Sequence, residues 1–221
     1  MKLFLQALFK FLFGLALVGA LLFLPAGAFG FWNGWLFAGL LFVPMLFLGI
    51  VLFIKAPDLL EKRLNAKEKE NAQKGVVALS ALIFLGGFIV AGLDFRFGWS
   101  RVPLWAVIAA SAVLLVSYAL YAEVMRENAY LSRTIEVQAG QKVIDKGLYG
   151  VVRHPMYAVT LWLFLAIPVV LGSWWALAVL ALYIPVIAVR ILNEEKLLTA
   201  ELDGYADYKT RVKYRLVPFV W

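Results

Sequence analysis

The stretch RHPMYAVTLWLFLAIPVVLGSWWALAVLALYIPVIAVRILNEE, Arg153 to Glu195, contains two apolar runs, Met156–Leu171 and Trp174–Leu192, joined only by Gly172–Ser173. A helix needs about 20 apolar residues to cross roughly 30 Å of hydrocarbon. The second run meets that length and the first falls slightly short. A two-residue link predicts a tight helical hairpin, with the link on one side of the membrane and both charged ends together on the other. Pro168 and Pro185 lie inside the runs and should kink them, which membrane helices tolerate where neighbours satisfy the freed carbonyls. Pro155 suits the first turn of a helix, where no amide donor is needed. The first run therefore starts near His154, its positive dipole end facing the charged side.

Working outward, four more apolar runs precede the hairpin: Phe11–Phe29, Phe31–Ile54, Val76–Leu93 and Leu104–Val124. The expected architecture is an all-α integral membrane protein of about six transmembrane helices. The first run also has features of a signal peptide: Lys2, Lys10, and the small-x-small pattern Ala26–Ala28. We read it as a true span. Composition agrees with a membrane protein. The chain is 64% hydrophobic over 221 residues, against about half in soluble domains. It has no cysteine and one histidine. Disulfides, thiolate metal sites, cysteine nucleophiles and polyhistidine sites are thereby excluded, and no carboxylate spacing suggests a metal. Two regions are expected: residues 1–124, four helices with a cytosolic loop at 55–75, and residues 125–221, which hold the chemistry.

The net charge of +7 would suit nucleic acid, but the charges are not placed for it. Nineteen lysines and arginines fall before the first run, between runs two and three, between four and five, and from the end of run six onward; only Arg96 and Arg101 fall on the other side. That bias puts both termini and the charged hairpin ends in the cytosol. The outer loop Asp94–Trp105 carries Phe95, Phe97, Trp99 and Trp105, which fit an interfacial aromatic belt. The inner loop 55–75 mixes both signs and reads as a solvated loop or short surface helix.

The unusual polar residues gather at two places, the loop Met125–Arg153 and the segment Arg190–Leu198. The hairpin makes them neighbours. One place offers the positive end of a helix dipole, the other a negative end reinforced by Glu194 and Glu195. A ligand with separated positive and negative groups fits such poles, and S-adenosylmethionine is one such ligand among others. Each residue also has a plain reading. Arg190 and Glu194, four apart, suit a helix ion pair. His154 suits a helix cap. Tyr157, Glu123 and Glu127 suit a membrane boundary. Clustering of ionisable groups at membrane depth favours function without naming the reaction.

The ordered set Gly147-x-Tyr149, Arg153-His154-Pro155-x-Tyr157, a hairpin, Arg190-x-x-x-Glu194-Glu195, then Tyr205 and Tyr208 resembles the isoprenylcysteine carboxyl methyltransferase family, nearest to its bacterial members. The resemblance covers about Asn128 to Trp221. It implies a membrane methyltransferase of a prokaryotic cell membrane. S-adenosyl-L-methionine would enter from the cytosol and a lipophilic acceptor from the bilayer. It implies a cofactor site at Gln138, Gln141, Lys142, Val143, Ile144, Tyr149, His154, Pro155, Met156, Tyr157 and Glu194. It further implies that Arg190 orients the substrate, with His154 and Glu195 at the catalytic centre. The chain departs from the family at Leu148, where proline is common, and at Gln141, where the prenylcysteine enzymes have histidine. The second departure leaves the acceptor open among prenylcysteine, phospholipid, quinone-like lipid and thiol. Two other readings stand beside this one. One is a nicotinamide-dependent membrane reductase of sterol-reductase type, in which Met156 replaces the usual asparagine. The other is a non-catalytic scaffold that holds anionic lipids on its basic face. The oligomeric state is not readable from the sequence.

Overall fold

The computed structural model describes residues 2–64, 71–131 and 136–221, the side chains of 71–73 excepted. The helices are α1 (Lys2–Ala26), α2 (Trp32–Lys55), α3 (Pro57–Leu64), α4 (Asn71–Phe97), α5 (Leu104–Glu127), α6 (Pro155–Val170), α7 (Trp174–Ala181), α8 (Tyr183–Glu201) and α9 (Tyr205–Arg211), with a 3₁₀ turn at Gly147–Gly150. Among the described residues no strand forms. The charges expected at Lys67, Lys69 and Arg133 lie outside the described residues.

Among the described residues, five segments are long and apolar enough to cross a bilayer: Lys2–Ala26, Trp32–Lys55, Lys74–Phe97, Leu104–Glu127 and Trp174–Glu201. The chain is a multi-pass membrane protein. The expected fifth span is the shorter apolar helix Pro155–Val170. It opens at Pro155 as the missing amide requires. The sixth run is not one smooth helix. It breaks at Leu182 between α7 and α8, because Pro185 has no N–H to give to the carbonyl of Ala181. Leu182 N–H turns instead to the Val179 carbonyl, 3.2 Å away. Past the break, α8 runs to Glu201. That is beyond the expected end at Leu192, so Glu194 and Glu195 sit inside regular helix.

One apolar core joins α1, α2 and α4 to α8. The α5–α6, α1–α4 and α4–α7 pairs make the main helix contacts. Gly92 allows the α1–α4 approach, because a Cβ there would stand 2.5 Å from the Leu22 carbonyl oxygen. Small residues at such crossings let membrane helices pack backbone to backbone.

The link between α6 and α7 is pinned by a buried polar knot. Asp94 accepts from Ser100 N (2.8 Å), Ser100 Oγ (2.5 Å) and Ser173 Oγ (2.5 Å), and Asn33 donates to the Val170 carbonyl at 2.7 Å. Each of these bonds supplies a partner that lipid would not. The knot fixes α6 and α7 against α2 and α4 at this end, and so sets where α6 begins at the other.

Candidate functional site

At the opposite end, the expected loop, hairpin and tail residues converge. The loop is shaped from Gly147 outward. Gly147 has φ +59, a left-handed conformation that suits glycine. The Glu127 carboxylate lies against it and accepts from Leu148 N–H at 3.0 and 3.1 Å, so the end of α5 caps the 3₁₀ turn. Tyr149 is buried there. Its hydroxyl accepts from Asn128 Nδ2 at 3.0 Å, and its carbonyl accepts from the Tyr208 hydroxyl at 2.7 Å. Burial, first, holds the Tyr149, Tyr205 and Tyr208 phenols above their ordinary pKa. Arg211 Nη1 donates to Asp145 at 2.8 Å and holds that carboxyl below its usual range, tying α9 to the loop.

The tail then pairs with the start of α6. Arg153 N–H donates to the Tyr214 carbonyl (2.8 Å) and His154 N–H to the Arg215 carbonyl (2.9 Å). His154 occupies the N-cap position, but its side chain makes no cap bond. Its Nε2 lies 3.3 Å from Glu195 Oε1 instead. Glu195 also receives Arg153 Nε at 2.7 Å and Arg215 Nε at 3.0 Å. Glu195 is 4% exposed and Arg153 7%. Buried charges persist when paired in this way. Next to it, Glu194 has a different neighbourhood. The Tyr157 hydroxyl donates to Glu194 Oε2 (2.5 Å) and receives Arg190 Nε (3.1 Å), while His154 Nδ1 stands 4.0 Å from Glu194 Oε1. The tyrosine hydroxyl thus joins the helix pair Arg190 and Glu194.

A cavity of about 750 Å³ opens over these residues, within the range of small-molecule sites. Its polar end is lined by Gln141, Lys142, Val143, Ile144, Tyr149, His154, Met156, Tyr157, Arg190 and Glu194. Its other arm runs between α2, α4, α5 and α6 along Leu41, Phe84, Phe88, Leu163 and Ile167. From Val77 to Phe88 it follows α4 for about 16 Å. Three expected residues do not line it. Pro155 is buried at the helix start, Glu195 is enclosed by its arginines, and Gln138 builds the turn. There Gln138 N–H donates to Gln141 Oε1 at 2.9 Å, and its Nε2 donates to the Tyr130 carbonyl at 2.5 Å.

Sequence reasoning missed three participants. Arg63, from the inner loop read as solvated, lines the cavity and donates to the Tyr121 hydroxyl. Glu127, read as a boundary charge, caps the turn. Arg215, counted only as a tail cation, completes the Glu195 enclosure. Glu127 had a signal in sequence, since it stands at a helix end before a glycine turn. Arg63 and Arg215 had none.

Two observations test whether S-adenosylmethionine fits. The backbone N–H groups of Lys142, Val143 and Ile144 reach no backbone acceptor among the described residues. The Tyr205 hydroxyl is buried with no partner, on a residue that lines the cavity. A buried hydroxyl in a cavity that Glu194 also lines suits a ligand with hydrogen-bonding groups and a cationic centre.

Comparison with known proteins agrees in class. Residues 105–203 match the model of the phospholipid methyltransferase family. The fold is similar to the solved structure of a eukaryotic intramembrane Ras methyltransferase, isoprenylcysteine carboxyl methyltransferase. The TM-score is 0.57 at 18% identity, over 93% of this chain and 74% of that one. No curated protein sequence matches significantly. The class defined is a multi-pass membrane protein, of which residues 105–203 are similar to the phospholipid methyltransferases. Its fold is similar to that of the isoprenylcysteine carboxyl methyltransferase, the family whose motif order the stretch from Gly147 to Tyr208 resembles.

Proposed function

We propose that the protein transfers a methyl group from S-adenosylmethionine to a lipophilic acceptor that reaches it from the bilayer. One observation carries this reading: a single cavity joins the polar loop–hairpin site to an apolar arm between the membrane helices. Bound there, S-adenosylmethionine supplies a methyl group already activated on a sulfonium. The chain then has to hold two reactants in line and keep water away, and positioning of this kind lowers barriers by several kcal/mol.

The residues divide those tasks. The cavity-lining backbone of Lys142 to Ile144 suits a nucleoside, and Glu194 suits the cationic centre. Tyr157 fixes Glu194 and Arg190 relative to each other through one hydroxyl. Arg190 is placed to orient an anionic acceptor, since a guanidinium presents a fixed fork to a carboxylate or phosphate. Phe84, Phe88 and Phe164 exclude water from the apolar arm. A carboxylate acceptor needs no base. For a thiol or amine acceptor, His154 is the group within reach, its ring oriented by Glu195. Glu195 acts as a positioning residue. In this reading the loop and both termini face the cytosol, from which the cofactor enters.

The test incubates purified protein with methyl-labelled S-adenosylmethionine and a total membrane lipid extract. Label in a lipid band supports the reading and names the acceptor. Absence of both cofactor binding by calorimetry and label incorporation overturns it.

A further inference from the structure

The apolar arm of the cavity has the same depth on three walls. Its lining runs from Phe37 to Leu48 on α2, from Val77 to Phe88 on α4 and from Met156 to Ile167 on α6. At the helix rise each of these intervals is about 16 Å long. Asn33 at the start of α2 bonds Val170 at the end of α6, and Asp94 near the end of α4 bonds Ser173. Phe37, Phe88 and Ile167 therefore share the far end of the arm, and Leu48, Val77 and Met156 the end nearest the polar site.

The far end is closed. Exposure falls to 8% at Phe88, 3% at Ile167 and 0% at Phe37, and the Phe37 and Phe88 rings pack with centroids 5.7 Å apart. One turn further on, Asn33, Ala91 and Val170 are buried and lie outside the cavity lining. The bonds of Asn33 and Asp94 hold the three helices just behind this floor. Along the walls, three hydroxyls turn their hydrogens to backbone carbonyls. Ser80 Oγ donates to Val76 (2.7 Å), Thr160 Oγ1 to Met156 (2.7 Å) and the Tyr118 hydroxyl to Leu41 (3.1 Å). Serine and threonine in helices bond their own preceding turn in this way. A blind apolar arm of fixed depth, continuous with a polar site, suits a hydrocarbon chain whose head stays at that site. With C–C bonds of about 1.5 Å an extended chain advances about 1.25 Å per carbon, so about 16 Å takes about 13 carbons.

We infer that Phe37 and Phe88 form a floor that sets the length of acceptor chain the arm accepts, at about 13 carbons beyond the head. The inference rests on the methyl-transfer reading of this cavity and narrows the acceptor. Carbons beyond that number find no apolar surface in the arm and add nothing to binding.

The test uses the full chain in a steroid-based detergent, which brings no linear chain to compete for the arm. The probes are the saturated fatty acids of every length from decanoate to icosanoate. Chains retained by the protein after gel filtration are quantified by mass spectrometry, and protein-free micelles give the free concentration of each. Affinity should rise about fourfold per added methylene up to about tetradecanoate and then level off. Phe88→Ala should move that break at least about two carbons toward longer chains, because it opens a cavity in the floor. Affinity for S-adenosylmethionine without lipid should not change, since Phe88 lies about 16 Å from the polar end of the arm. If Phe88→Ala does not fold, Phe88→Leu keeps the floor apolar but shortens it, and must move the break in the same direction. Retention of no chain, a rise that continues through octadecanoate, or a break that stays in place in the folded variant overturns the inference. If wild type binds no S-adenosylmethionine but keeps a break that depends on Phe88, the chain site stands and the methyl-transfer reading falls.

Discussion

Replacing Gly147 by alanine tests how the loop is built. The substitution has two separable costs. At φ +59 an L-residue is in the left-handed region, which costs about 1–2 kcal/mol. The new Cβ would also stand 1.7 Å from Glu127 Oε1, so the carboxylate must leave. It then loses its bonds to Leu148 N–H at 3.0 and 3.1 Å, and a hydrogen bond to a charged group is worth about 1.5–3 kcal/mol. Gly147→Ala should therefore cost about 2.5–5 kcal/mol. Glu127→Ala alone loses only the cap, about 1.5–3 kcal/mol. In the double variant the cap can be lost only once, so its cost should equal that of Gly147→Ala alone. The cycle should show a coupling of about 1.5–3 kcal/mol. Thermal unfolding in detergent, followed by tryptophan fluorescence, gives the stabilities, and hydrogen exchange at Leu148 reports the cap directly. Additive costs, or slow exchange at Leu148 in Glu127→Ala, would refute the reasoning.

The two adjacent glutamates should respond differently. Glu195→Gln leaves buried Arg153 without its counter-charge and should lower stability by about 3–5 kcal/mol. Glu194→Gln should leave the melting temperature nearly unchanged and weaken S-adenosylmethionine binding by calorimetry. Tyr205→Phe removes a buried hydroxyl that has no partner among the described residues, so the ligand-free protein should gain about 1–3 kcal/mol of stability while S-adenosylmethionine binding weakens. Differential scanning fluorimetry with and without ligand reads both effects. Tyr149, Tyr205 and Tyr208 have raised folded-state pKa values. Their contribution is complete below the unfolded tyrosine value and is lost as pH rises above about 10. Melting temperature against pH should fall in that window, and by less in Tyr205→Phe.

Most of the fold was legible because the membrane imposes local rules. Apolar run length located the spans, and Pro155 marked a helix start, since each depends only on neighbouring residues. The break at Leu182 was half legible. Pro185 announced a distortion, but whether it bends or interrupts the helix depends on what packs beside it. The site was legible as a list of motif residues and not as an arrangement. Glu194 and Glu195 are adjacent in sequence, yet one lines the cavity and the other is sealed behind it.

The sequence by itself determined that this is a multi-pass helical membrane protein and which segments carry its polar residues, because hydropathy and proline geometry act along the chain. Only the tertiary structure decided which carboxylate meets the cavity, that Glu127 caps the Gly147 turn, and that Arg63 enters the wall beside Tyr121. Consecutive helix residues point about 100° apart, and Arg63 and Tyr121 are 58 positions apart. Their relation exists only once α2, α3 and α5 have packed.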